Sequence, residues 1–250
     1  EIFDPVKRTF SHFSDYRIDD LAFDPATGAL WGTSWPYRGV VVTFDSKGKA
    51  QAKLKLDTPA DSLAFGKPGT ALAGLLFISN HAPVGNDDGA PLVLVDLATL
   101  QRVEVASGGP LAENMAISAD GRLVVAQNYT PGGIKAFDTA TLELVADVPA
   151  EFEPGRLSRV VGLVDLPGRR FAYSLFDADA IWITDLSNPA RPVTTKLPNI
   201  GRQPYDALVT PNGRHYIAGL FGEDGLAMVD LWEEKPQVRR ILAGYGRGQE

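Results

Sequence analysis

"GRQPYDALVTPNGRHYIAGLFGEDGLAMVDL", residues 201–231, sets an Asn-Gly pair between two apolar runs and closes on a third run ending at Asp230. Asn-Gly in that setting is a strong hairpin signal, because both residues tolerate the positive φ of a two-residue turn. The same order recurs along the chain: an apolar run, a Gly-containing turn, a second run, a loop, a third run ending in Asp, a turn and a fourth run. The third runs are "GVVVTFD", "PLVLVD", "GIKAFD", "AIWITD" and "GLAMVD", ending at Asp45, Asp96, Asp138, Asp185 and Asp230 with spacings of 51, 42, 47 and 45. Four short strands per roughly 40–50 residues is the pattern of a β-propeller blade. Each terminal Asp can accept the backbone N–H two residues on and fix a turn into the fourth strand.

The expected fold is therefore all-β: one propeller domain over residues 1–250, with five four-stranded blades starting near residues 18, 59, 110, 160 and 201. Residues 1–17 are expected to supply a strand that completes a blade, since a free edge invites aggregation. Six blades, or a fragment of an eight-bladed ring, are the alternatives. No segment keeps a helical apolar period for three turns, because Pro or Gly interrupts each candidate.

Composition narrows the function classes. With 44% apolar and 22% charged residues the chain can bury a large core. A net charge of −7 lacks the basic patch that a phosphate backbone demands, which argues against nucleic acid. No apolar run approaches the roughly 20 residues of a membrane span. The opening "EIFDPVKRTF" has neither an initiator Met nor an apolar signal core, so the chain reads as a mature form or an excised piece. It contains no Cys, which excludes disulfides, thiolate metal sites and covalent c-type haem attachment at Cys-x-x-Cys-His.

Four antiparallel strands alternate direction, so the first-to-second and third-to-fourth turns share one end of the disc. Those turns are short: "SADG", "TPNG", "DSKGK" and "DTATL". The connections at the other end are longer and chemically richer: "SWPYRG", "NHAPVGNDDGAP", "NYTPGG", "FDADA", "FGEDG", "EFEPGRLSR" and "NIGRQPYD". Function concentrates in such loops, and those entering the innermost strands lead to the central channel.

From about residue 115 the strings "NYTPGG", "LELVAD", "VVGLVD", "GRQPYDALVTPNGRHYIAGLFGEDG" and "GYGRGQE" closely resemble the NirF family, propeller proteins needed for making the d1 haem of the denitrifying nitrite reductase. The resemblance implies an eight-bladed propeller in the bacterial periplasm that holds d1 haem or its precursor non-covalently over the channel, among other d1-haem assembly proteins. Residues 1–114 look instead like generic bacterial propeller blades, and the family's His-bearing N-terminal blade has no matching position there. Either blades of two lineages are joined, as in a chimera, or the chain is a fragment.

A tetrapyrrole of this type needs cations for its carboxylates and flat apolar faces for its ring. The connections into first strands offer Arg156, Arg159 and Arg202; "NYTPGG" offers Asn128 and Tyr129. Tyr205 and Asp206 lead to the axis, where they could equally bridge neighbouring blades. An axial iron ligand would have to be His12, His81 or His215. His81, in a long loop, is the better placed, whereas His215 follows the Asn-Gly turn at the far end. The acidic loops lack the spaced carboxylates of a Ca²⁺ site, and no metal is expected. Tetrapyrrole binding competes with a ligand-free scaffold propeller and with a metal-dependent lactonase-type hydrolase. The hydrolase would draw on Asp19 or Asp20, Asp61, Glu113 or Asn114, and Asp206 near the starts of the first strands.

Overall fold

The computed structural model describes residues 2–4, 6–11, 18–34, 39–45, 48–57, 59–80, 91–107, 109 and 112–246. Within them the chain forms strands and turns and no helix. Blade one comprises β3 (Ile18–Phe23), β4 (Leu30–Ser34), β5 (Val40–Phe44) and β6 (Ala50–Lys55). Blade two follows as β7 (Ala60–Phe65), β8 (Leu75–Asn80), β9 (Pro91–Asp96) and β10 (Arg102–Ser107). Blade three is β11 (Ala112–Ile117), β12 (Leu123–Asn128), β13 (Gly133–Asp138) and β14 (Leu144–Pro149). Blades four and five are β17 (Val160–Leu166), β18 (Arg170–Leu175), β19 (Ala180–Asp185) and β20 (Val193–Leu197), then β21 (Pro204–Val209), β22 (His215–Leu220), β23 (Leu226–Asp230) and β24 (Val238–Ile241). Each is a consecutive antiparallel meander. The glycines closing four of the first hairpins, Gly28, Gly121, Gly168 and Gly213, take φ of 70°, 70°, 81° and 71°, the left-handed conformation such turns require.

One expectation is corrected. Among the described residues the N-terminal segment completes no blade: β1 (Ile2–Asp4) pairs with β2 (Thr9–Ser11) in a separate two-stranded ribbon, and residues 12–17 lie outside the described residues. The turn at residues 6–8 reverses the chain at once, so the edge of β1 is satisfied locally. A second ribbon, β15 (Glu151–Glu153) with β16 (Arg156–Leu157), occupies the connection from blade three to blade four.

The core lies between blades. Alternate residues point to opposite faces of each sheet, and one face meets the preceding blade while the other meets the next. Four apolar clusters result, joining blades one and two, two and three, three and four, and four and five. Tyr173, Tyr216, Phe77, Phe137 and Phe171 are fully buried in or beside them. Among the described residues no such cluster joins blade five to blade one, where Leu21, Phe23 and Leu208 are 51%, 67% and 55% exposed.

Candidate functional site

The first strand of every blade breaks register near its start: between Ile18 and Leu21, Ala60 and Leu63, Ala112 and Asn114, Val161 and Val164, and Pro204 and Ala207. A β-bulge re-aims side chains where pairing is interrupted. Here it brings two consecutive residues from each blade to the axis: Asp19 and Asp20, Asp61 and Ser62, Glu113 and Asn114, Val161 and Gly162, Tyr205 and Asp206. With Gln127 they line a cavity of about 380 Å³ that contains no Lys or Arg in its wall.

Polar side chains of this ring lace the blades together. Asp20 accepts the N–H of Leu63 at 2.9 Å, Ser62 Oγ donates to Asn114 Oδ1 at 3.2 Å, and Asn114 Nδ2 donates to the Leu163 carbonyl at 3.3 Å. Tyr216, buried in blade five, donates its hydroxyl to the Gly162 carbonyl at 2.8 Å. Gly162 takes φ of +63°, and a Cβ there would meet the Tyr205 carbonyl at 2.8 Å. Glycine at this point lets blade five approach the axis. Burial, joined by the charge of Asp206, raises the Asp20 carboxyl above its ordinary range, although the Leu63 N–H opposes this. The residues that a hydrolase would have used thus do gather at the axis, but among the described residues no three of them are disposed to hold one metal ion.

Beside the cavity lies an aromatic shelf. Phe176 and Phe221 each follow the second strand of their blade directly, and with Tyr205 they form a triangle with ring centroids 5.8–5.9 Å apart. Phe176 is nearly buried, while Tyr205 and Phe221 are 37% and 53% exposed. The equivalent position in blade three is Tyr129; in blades one and two it is Trp35 and His81, outside the described residues. Every blade therefore carries an aromatic ring or imidazole at this point of its sequence.

Arg159 stacks on Phe176 at 4.1 Å and on Tyr129 at 5.5 Å from the ring centroids, and donates to the Tyr129 hydroxyl at 3.1 Å. Its guanidinium forks onto Asp177, with Nε 2.9 Å from Oδ2 and Nη2 2.5 Å from Oδ1, and its backbone N–H reaches Oδ2 at 2.9 Å. That pairing lowers the Asp177 carboxyl below its usual range and raises the Arg159 guanidinium. Blade five repeats the device: the Arg202 N–H donates to Glu223 at 2.7 Å, and Glu223 also holds Arg240. The Arg202 guanidinium makes no hydrogen bond or ion pair among the described residues, although its charge helps to lower the Glu223 carboxyl.

The candidate residues separate as follows. Tyr129, Arg159, Arg202 and Tyr205 border the shelf, and Asp206 lines the cavity while accepting the Ala207 N–H at 3.0 Å. Arg156, on the β15–β16 ribbon, turns to Glu153 at 2.5 Å and Phe152 at 4.9 Å. Asn128 is buried against Gly109, whose Cβ, if present, would lie 2.4 Å from its amide. His81 falls outside the described residues. His215 lies at the far end, 3.8 Å from Asp230. Phe176, Phe221 and Asp177 were not singled out from sequence; their signal was the aromatic immediately after each second strand, a period visible only once strand ends are known.

The cytochrome D1 heme domain model matches residues 83–250, more than half of the chain. Protein NirF of Pseudomonas aeruginosa is 61% identical over 136 residues, covering 54% of this chain and 35% of its own length. The dihydro-heme d1 dehydrogenase of the same organism is 30% identical over 141 residues, 56% of this chain and 28% of that protein. The chain thus spans about a third of the length of the curated relatives it matches. Among solved structures, "Dihydro-heme d1 dehydrogenase NirN in complex with DHE" superposes with a TM-score of 0.60 at 25% identity, covering 81% of this chain and 41% of the other. The family match begins at residue 83, in the second blade, earlier than the strings readable by eye. By that match the chain belongs to the cytochrome d1 haem domain family.

Proposed function

We propose that this chain binds d1 haem or a precursor non-covalently at the channel mouth, as part of a periplasmic accessory protein of d1-haem biosynthesis. The observation that carries this reading is the Phe176, Tyr205 and Phe221 triangle with Arg159 stacked at its edge and Arg202 beside it. A flat macrocycle gains from offset contact with such rings, and its carboxylates gain from a cation at the rim. Thioether attachment of the c type has no residue to use, because the chain has no Cys. The matching family model and the dihydro-heme d1 dehydrogenase carry d1-type haem in their names, which supports the ligand class. Contact with other d1-haem assembly proteins belongs to the same proposal.

Titration of the protein with d1 haem tests it through the absorption bands of the macrocycle. Saturable shifts are expected for the wild type. Phe221→Ala should weaken binding about tenfold without unfolding the protein, since stacking of one ring is worth about 1–3 kcal/mol and Phe221 is largely exposed. No change in the bands, or a site indifferent to Phe221, would refute it.

A further inference from the structure

Trp31, in β4, is 8% exposed and packs in the cluster between blades one and two, where Phe65 meets its ring edge-on at 5.9 Å. Its indole nitrogen is buried and donates to no acceptor among the described residues. A buried indole N–H ordinarily finds a partner, and one left without an acceptor is costly. The same side chain forms part of the wall of a groove of about 610 Å³ at the far end of the propeller, away from the mouth. Small residues leave the space open: Ala26, Ala29, Ala73, Gly74 and Ala98 line it. At the same end the turns of blades three and four are tied together, by the Ala119 N–H on the Gly168 carbonyl at 3.2 Å and by Arg169 on Asp120 at 2.8 Å. The blade-one turn at residues 24–29 makes no hydrogen bond to blade two among the described residues.

We infer that this groove is a second ligand site, independent of the tetrapyrrole reading, for a small neutral molecule with a flat apolar body and a carbonyl-type oxygen that accepts the Trp31 N–H. The body covers the alanines and the indole, and the oxygen supplies the missing acceptor. Charge at the border selects a neutral ligand. Asp24 and Asp96 oppose an anion, each held by its own turn through the Ala26 and Ala98 N–H groups at 2.9 and 3.0 Å. Lys53, on the same border, opposes a cation. An apolar pocket with one or two placed polar groups is the usual form of a small-molecule site.

Benzophenone and diphenylmethane test this, because they have nearly the same shape and differ in the carbonyl oxygen. The four tryptophans each contribute one indole N–H resonance to a nitrogen-15 spectrum, and Trp31→Phe assigns that of Trp31. Benzophenone should move this resonance saturably. Diphenylmethane should bind about tenfold more weakly, the worth of one hydrogen bond to a buried donor. Ala98→Leu, an exposed position in the groove wall, should weaken benzophenone binding at least about tenfold while the protein stays folded. Photolabelling needs no variant: near-ultraviolet irradiation of the bound ketone should mark peptides that contain Ala26–Trp31 or Leu97–Ala98, read by mass spectrometry. Equal affinity for the two compounds, wild-type affinity in Ala98→Leu, or label found only elsewhere would each overturn the site. Any of these leaves the mouth untouched, since d1-haem binding is read there from the bands of the macrocycle and from Phe221→Ala.

Discussion

Carboxylates at the two ends of this propeller do different things, although the residues are the same. At the end with short turns, Asp96, Asp138, Asp185 and Asp230 each accept the backbone N–H two residues on, from Ala98, Ala140, Ser187 and Trp232 at 2.8–3.1 Å. At the mouth, Asp177 and Glu223 reach across from one loop to an arginine at the start of the first strand, 18 and 21 positions away. The first arrangement closes a turn and could be replaced by any turn. The second ties the loop that carries Phe176 or Phe221 to the strand that lines the axis. A carboxylate that serves its own neighbours is part of the scaffold; one that serves a distant element shapes the site.

Glycine substitution gives the largest expected effects and sharpens the contrast. Gly162 at the axis and Gly168 in a far-end turn both have positive φ, 63° and 81°. Nothing lies within 4 Å of a Cβ built on Gly168, so Gly168→Ala should cost only the conformational penalty, about 1 kcal/mol. Gly162→Ala adds a contact at 2.8 Å with the Tyr205 backbone and should cost about 2–3 kcal/mol by urea denaturation. It should also disturb ligand binding, because Tyr205 belongs to the shelf. Equal costs at the two positions would mean that the axis packs no more tightly than an outer turn.

A smaller effect separates the two kinds of carboxylate directly. Asp138→Ala removes acceptors for the Ala140 and Thr141 N–H groups and should lower stability by about 1 kcal/mol, with no change in porphyrin affinity. Asp177→Asn should cost no more in stability, since this ion pair is about one third exposed. It should nevertheless alter binding, because Arg159 loses its charge partner and becomes available to a ligand carboxylate. Fluorescence titration with protoporphyrin checks this: tighter binding by Asp177→Asn and unchanged binding by Asp138→Ala are expected. The reverse pattern would erase the distinction between the ends.

That distinction also decided what could be read from the chain. Asp138, and the glycines closing the hairpins, announce themselves because their partners lie within a few residues, so the blades and the turn chemistry were legible. The axial pairs were legible in part, since Asp19, Asp61, Glu113 and Asp206 recur at one point of the repeat. The bulges that aim them inward were not, because a bulge depends on the register between two strands. Arg159 was readable as a loop cation, but its engagement by Asp177 was not, since that contact joins two loops. Arg156 looked equivalent to Arg159 in sequence until the β15–β16 ribbon paired it with Glu153. The N-terminal strand failed for the opposite reason: its partner, β2, lies closer in sequence than any blade edge.

The smallest effect concerns pH, and it has opposite sign at the axis and at the far end. Asp120, in a far-end turn, is raised by partial burial, but the Ser118 hydroxyl and the Arg169 guanidinium outweigh this and bring its carboxyl down to about 2. A carboxyl lower in the folded than in the unfolded chain contributes stability above the unfolded value of 3.8, and that contribution is lost as pH falls toward 2. Asp20 at the axis is raised by burial, so the folded chain holds its proton more tightly than the unfolded chain does. Its contribution therefore declines as pH rises above 3.8. Urea midpoints followed across both windows should show Asp120→Asn losing ground against the wild type as pH rises from 2 to 3.8. Asp20→Asn should gain ground above 3.8, whatever its absolute stability, because the variant carries no titrating group. Parallel slopes for the two variants would mean that hydrogen bonds favour the charged form of the axial carboxylate as they do in an outer turn, and that its burial at the axis does not decide its titration.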